Sequence, residues 1–539
     1  MSYLKNVLNK NITPQNQPIP GTNQVKNSAG GYSFPVDNWT RLERFLVLGS
    51  EGGSYYATQQ KLTTENAKAV QECVKADGLR AVKIIAQISD AGRAPKNDPA
   101  IFALAIVASQ GDDKTRAAAL AALPTVCRTG THLFHFAQFV DGMRGWGRGL
   151  RSAVGAWYAT KDADALAYQV VKYQQRDGWS HRDLLRLSHP KPESEQKKAL
   201  YHWITQGNLD EGAPALVGAF EQAKRAEKVG EIVALIRDAN LPREAIPTQF
   251  LTEKLVWEAL LAGCMPLTAL LRNLATMTRV GVFEDTQQVK AVSERLTDKA
   301  ALKKARVHPI AVLAALKTYG SGKGVRGQNT WSPKAKLVDA LDAAFYASFD
   351  NVEATNQRWV LALDVSGSMG CGNIAGIPGL TPRDASAAMA LLTAATESDY
   401  QMVAFSAARG GIGGQWGGGE SGITALTLSP RQRLDDVAKA MGRIPMGGTD
   451  CALPMVWAKK NQVKADVFVV YTDSETWHGP LHPVQALRDY RQAMGIPAKL
   501  IVVGMVSNNF SIADPSDGGC LDVVGFDTAT PQLMSDFIK

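Results

Sequence analysis

The stretch Asp364-Val365-Ser366-Gly367-Ser368 places a carboxylate and two hydroxyls at alternate positions, directly after the apolar run Trp359–Leu363. Such a run reads as a buried parallel strand, so three oxygen-bearing side chains share one strand-end loop. Two more pieces follow in order. Gly447-Gly448-Thr449-Asp450 opens a helix, and the buried strand Val467–Thr472 ends in Asp473. Hydroxyls and carboxylates are hard ligands. The set Ser366, Ser368, Thr449, Asp364 and Asp473 suits a small divalent cation: magnesium first, manganese or calcium as alternatives, and not zinc.

These loops need a sheet to hold them. From about Arg358, strands at Trp359–Val365, Gln401–Phe405, Ala465–Thr472 and Lys499–Met505 alternate with helices near Arg383–Ser398, Arg431–Gly442, Asp450–Asn461 and Pro483–Met494. That alternation predicts a doubly wound parallel sheet with the metal loops at the carboxyl ends of its strands. Ala407–Gly422 is glycine-rich and reads as a mobile insertion.

The pattern before it is different. From Asn38 to Phe349 apolar residues recur at spacings of three and four, as in Glu65–Ala76, Pro99–Ser109, Ala163–Gln174, Leu251–Leu261 and Lys334–Phe345. Many short helices in series predict an α-solenoid of degenerate HEAT-like repeats. The fold class is therefore mainly α plus α/β. The domain reading is 1–27, a flexible polar arm; 28–355, the helical repeats; and 356–539, the α/β domain.

Charge divides the same way. Residues 351–539 carry 14 Lys and Arg against 18 Asp and Glu, which leaves residues 1–350 with a net charge of +12. The basic part is the candidate for a polyanion. No apolar stretch approaches the ~20 residues needed to span a bilayer, and the N-terminus lacks the apolar segment of a signal peptide. The six cysteines are scattered, with no zinc-knuckle or redox-pair spacing. Reduced thiols and a cytoplasmic protein are expected.

The densest basic chemistry lies between Arg128 and Lys191. Arg144, Arg148 and Arg151 are spaced by four and three, which would put them on one face of a helix. Trp146, Trp157 and Tyr158 are flat surfaces nearby. Ser180-His181-Arg182-Asp183 reads as a capping box, and on the helix it opens Arg182, Arg186 and His189 share a face. Lys172 and Arg176 fall at i and i+4 on the preceding helix. A single arginine row is more often a solvated face. Several rows close together, with aromatic residues among them, suit phosphates and unpaired bases. No compact DNA-reading motif is present, so RNA is the expected ligand.

Other signals are weak. His132 and His135 lack a third ligand and read as packed or surface histidines. Gly320-Ser321-Gly322-Lys323-Gly324, with Arg326 beyond it, has the wrong spacing for a phosphate loop. No paired carboxylates or nucleophile–base arrangement supports catalysis, so the chain is read as a non-enzyme. The alternative to an RNA binder is a metal-dependent protein–protein adaptor whose repeats bind protein.

Long motifs support a family resemblance. They are Phe45–Gly53 (FLVLGSEGG), Arg128–Phe134 (RTGTHLF), Gly178–His189 (GWSHRDLLRLSH), Met265–Leu274 (MPLTALLRNL), Ala305–Pro309 (ARVHP) and Gly447–Cys451 (GGTDC). From about Gly30 onward the chain resembles the TROVE family of Ro sixty-kilodalton autoantigens. Its last third resembles a von Willebrand factor A domain with a metal-ion-dependent adhesion site. The resemblance implies direct metal ligation by Ser366, Ser368 and Thr449, with Asp364 and Asp473 acting through bound water. One coordination position would be left for a partner's carboxylate. It also implies a closed ring of helical repeats with a basic central hole, bridged at its ends by the A-type domain. Y RNA would bind the outer surface, where Lys172 and His189 match family positions and Arg176 adjoins them. Misfolded noncoding RNAs with single-stranded 3′ ends would enter the hole, with one protein copy per ribonucleoprotein. In bacterial relatives the Y RNA tethers the exoribonuclease polynucleotide phosphorylase. The Cys371–Leu380 loop and the 407–422 insertion depart from the pattern and leave open which partner docks at the metal.

Overall fold

The computed structural model describes residues 12–539, apart from 264, 325–327, 350–351, 408–421 and 431. The glycine-rich 407–422 insertion and Arg326 therefore fall almost wholly outside the described residues.

Helices fill the first part of the chain, and their starts are chemically marked. Asp37, Thr58, Asp112, Thr129, Asp162, Ser180 and Ser194 each cap a helix by accepting a backbone N–H two or three residues into it. The Gln59–Ala91 helix breaks at Asp77, whose extended backbone lets its carboxylate cap the second half through the Arg80 amide at 2.9 Å. The Asp98–Gln110 helix is buried on almost every side, which explains its uninterrupted apolar sequence.

The two ends of the helical stretch meet. His308 Nε2 donates to the Arg93 carbonyl at 3.0 Å, and Arg306 pairs with Asp90 at 2.8 Å. Gly92, with φ +68, holds its backbone where a Cβ would lie 3.2 Å from the Arg306 side chain. The expected ring closes at this seam.

The α/β domain then bridges both ends. On the starting side Arg44 pairs with Asp522, and Arg93 with Asp527. On the finishing side Lys317 pairs with Asp384, Arg433 with Asp339 at 2.7 Å, and the Leu434 amide donates to Asp342 at 2.9 Å.

The bridging domain contains a six-stranded sheet in the order Cys520–Val524, Lys499–Gly504, Val467–Thr472, Arg358–Asp364, Asp399–Phe405, Ile423–Leu426. All neighbours are parallel except the last pair, which is antiparallel. Arg358–Asp364 is first in sequence and central in space. The chain moves outward on one side to Asp399–Phe405 and on the other to Val467–Thr472. That reversal is the topological switch point, where an open sheet forms a crevice beyond its strand ends. The metal loops sit there.

The flexible-arm reading of residues 1–27 is corrected for residues 12–27; residues 1–11 lie outside the described residues. From Ile12 onward the chain straps the α/β domain. Val25–Lys26 and Tyr32–Pro35 form a hairpin, and Tyr32–Pro35 pairs with Phe510–Ser511. The Thr13 amide donates to Gln485 at 3.1 Å, Asn27 Nδ2 to the Thr476 carbonyl at 2.7 Å, and the Ser28 amide to Glu475 at 2.7 Å. Composition alone made this segment look loose; the partners that satisfy its polar groups lie more than 400 residues away.

Candidate metal centre and nucleic-acid interface

The Arg358–Asp364 strand ends with the Asp364 carboxylate turned back on its own loop. One oxygen accepts the Ser366 amide at 2.8 Å, and the other accepts the Thr472 hydroxyl at 2.6 Å. This turn brings the Ser366 and Ser368 hydroxyls to 3.2 Å from each other. Ligands on adjacent corners of an octahedral magnesium ion, each 2.0–2.1 Å from it, stand about 3 Å apart. The serine pair fits that edge. The Gly367 amide donates to the Gly447 carbonyl at 3.2 Å and ties in the loop carrying Thr449. The Thr449 carbonyl accepts the Trp477 and His478 amides, so the Asp473 loop is held as well.

Burial acts on both carboxylates of the site. Burial raises Asp364 despite its hydrogen bonds. Burial, and then the charges of Asp364 and Glu475, push Asp473 up to about 8. Arg383 offers Asp364 some positive charge, but its guanidinium bonds to the Val365 and Met441 carbonyls. A divalent ion on the hydroxyls would supply the charge needed to keep both carboxylates ionised. Among the described residues no group of three or more His, Cys, Asp or Glu is gathered for a metal.

Access to the site is narrow. Asp364, Ser366, Ser368, Thr449 and Asp473 are each at most 6% exposed. Ser368 and Asp473 line a cleft of about 30 Å³ whose other walls include Gly53, Ser54, Tyr55 and Asn373. Tyr56, on the same helical-part loop, reaches Ser368. That space holds something the size of a water molecule. The loop belongs to the conspicuous Gly49–Gly53 segment, but its place over the metal loops depends on ring closure.

The basic centre lies largely at the surface. Arg144, Arg148, Arg151, Arg176, Arg182, Arg186 and His189 are exposed, and Lys172 is half-buried. Arg182 and Arg186 share the outer face of the His181–Ser188 helix, over buried Leu184 and Leu185. That helix packs against Arg148–Ala159, which carries Arg148 and Arg151.

Three assignments change. Arg144 caps the Gly130–Met143 helix and does not continue the row of Arg148 and Arg151, because Gly145, with φ +77, turns the chain between them. The Ala163–Lys172 helix ends at Lys172, and Arg176 lies on a two-residue hairpin, paired with Trp179. Asp177 and Gly178, both with positive φ, make its turn. His189 is the left-handed residue that ends its helix, with φ 47. The Asp177-Gly178 pair was the signal that could have found the hairpin.

The aromatic residues also divide. Trp157 and Tyr158 are wholly buried, and Tyr158 bonds His181 at 2.8 Å. Trp146 is half-buried against Trp179, with ring centroids 5.4 Å apart. Lys172 lies between two rings, 5.2 Å from Tyr168 and 5.5 Å from Tyr173. His132 is half-buried, and desolvation lowers its pKa to about 4. His135 bonds Asp177 and braces the hairpin.

A family model for the TROVE domain matches residues 25–228 and 215–357, and one for the Ro60 von Willebrand factor A domain matches 358–538. The chain belongs to the TROVE family. It is 43% identical to the RNA-binding protein RO60 of Deinococcus radiodurans, over 99% of each chain. It is 37% identical to the RNA-binding protein RO60 of Caenorhabditis elegans, over 96% of this chain and 90% of that one. The crystal structure of the Deinococcus radiodurans RO (RSR) protein matches with a TM-score of 0.69, covering 93% of this chain and 99% of the other.

For this TROVE-family chain, the sequence reading missed Tyr56, Gln15 and Trp179. Gln15 Nε2 donates to Asp450 at 2.7 Å and to the Leu481 carbonyl at 2.8 Å, and Thr476 donates to its Oε1. Nothing in the residues around Gln15 announces that role.

Proposed function

We propose that this chain is a non-catalytic RNA-binding protein, the scaffold of a ribonucleoprotein in noncoding RNA quality control or processing. A small structured Y RNA binds the outer basic face, and misfolded noncoding RNAs with a single-stranded 3′ end bind the ring. The RNA carries any nuclease partner, such as polynucleotide phosphorylase. The observation that carries the reading is the unpaired charge on the outer face. Among the described residues, the side chains of Arg148, Arg151 and Arg182 make no ion pair or hydrogen bond, whereas Arg41, Arg116, Lys198, Lys224 and Arg306 each pair with an acid. Surface arginines left without acids suit phosphate. The full-length likeness to two proteins named RNA-binding supports the same conclusion.

Magnesium on Ser366, Ser368 and Thr449 serves the architecture in this reading. It neutralises Asp364 and Asp473 beneath the loop that begins the ring. The near-complete burial of those residues speaks against the rival adaptor reading, which needs room for a partner's carboxylate.

The test is binding of purified protein to one structured RNA, prepared with and without a single-stranded 3′ tail. The expected result is binding of both, tighter with the tail, and no shortening of the RNA. Failure to bind either RNA would overturn the proposal.

A further inference from the structure

A second site lies at the seam where the helical stretch closes. The Leu267–Arg279 and Pro309–Gly320 helices run side by side there and leave a cleft of about 350 Å³, within the range of small-molecule pockets. Its walls run from Thr268 to Ala275 on one helix and from His308 to Tyr319 on the other. At 1.5 Å per residue those spans are about 10 and 16 Å, the scale of one or two nucleotides.

The chemistry of the walls is one-sided. Lys96, Arg272 and Arg306 line the cleft, and among the described residues no acidic one does. Lys96 and Arg306 are already bonded to Glu51 and Asp90. Arg272 is exposed, and among the described residues its side chain makes no ion pair or hydrogen bond. The floor is largely apolar, with Leu271, Ala311 and Ala315 offering a surface for a base. Thr268 and Ala311 belong to the first turns of their helices, where the backbone favours an anion.

We infer that this cleft binds a nucleotide of single-stranded RNA, with Arg272 on its phosphate and the base against the alanine face. The inference rests on the RNA-binding reading above. It adds a regulatory consequence. Arg306 and His308, which close the seam onto Asp90 and Arg93, also line the cleft, so a nucleotide there holds the closed ring together.

The test uses the full chain and a hairpin RNA with or without an oligouridine 3′ tail. Arg272→Ala removes the free cation, Ala315→Trp fills the cleft without changing charge, and Arg272→Lys keeps the charge as a folding control. Both disruptive variants should lose about tenfold in affinity for the tailed RNA, and Arg272→Ala should reduce its salt slope by about one. Affinity for the untailed hairpin should be unchanged. If wild-type protein prefers the tail and both variants keep that preference, the cleft assignment falls while the RNA-binding reading stands. If wild-type protein binds no RNA, the reading itself falls. Displacement of the tail by polyglutamate as readily as by oligouridine would mark a general anion groove for acidic protein segments, and would also overturn the assignment.

Discussion

Arg44 and Asp522 form a forked ion pair across 478 positions of sequence, with Nη2 at 2.6 and 2.7 Å from the two carboxylate oxygens. Arg44 has no exposed side-chain surface, and its Nη1 also donates to the Phe510 carbonyl at 2.8 Å. The pair joins the first helix of the ring to the last strand of the sheet. Arg44→Ala leaves the buried side of Asp522 without its charge partner and should destabilise the protein by about 3–5 kcal/mol, read from the denaturant midpoint. A loss under about 1 kcal/mol would mean the two domains are held by other contacts.

Gln15 gives a milder prediction on the same link. Its amide is wholly buried and bonds Asp450, Leu481 and Thr476. Gln15→Ala leaves those groups unsatisfied and should cost about 1–3 kcal/mol. A loose arm would show no change in the thermal midpoint.

Much of this architecture was legible. The apolar run ending in Asp364 marked a central strand, because a strand buried on both faces has no polar alternation to hide it. Asp399–Phe405, Val467–Thr472 and Lys499–Gly504 were found by the same logic. The Cys520–Val524 strand was missed because it is an edge strand interrupted by Asp522, whose partner Arg44 is remote. The Ile423–Leu426 strand is short and antiparallel. Arg144 was misplaced because spacing was read through Gly145, where the backbone turns, and Arg176 because it was read past Tyr173, where the helix ends. The strand-end loops carrying Asp364, Thr449 and Asp473 were legible because each is local in sequence. Their cover by Tyr55 and Tyr56 was not, because it depends on how the ring closes.

Two buried histidines set a pH response. Burial lowers His308 to about 4 and His181 to about 3. Unfolding restores the ordinary value near 6.5, so below that pH the unfolded chain binds protons that the native chain refuses. Their contribution is intact above pH 6.5 and is lost as pH falls toward 4. Between pH 7 and 5 each should cost about 2 kcal/mol. His308→Gln should flatten the dependence, as read by urea unfolding at the two pH values. An unchanged slope would mean that His308 is charged in the native state.

Metal removal separates the two sites. Magnesium should raise the thermal midpoint of wild-type protein, chelation should lower it, and Ser366→Ala should abolish the difference. RNA affinity should be retained in Ser366→Ala. Equal loss of RNA binding would place the ion in contact with RNA or make it a requirement for ring closure.

The central claim is that the outer basic face, around Lys172, Arg182, Arg186 and His189, grips RNA through phosphate charge. The most direct measurement is the affinity of wild-type protein and of the Lys172→Ala/His189→Ser double variant for a Y-like RNA stem across a salt series. With about five cations engaged, the account predicts a log–log slope of about −4 to −5 for wild type and weaker binding by the double variant. A flat slope, or equal affinity of the two proteins, would contradict it.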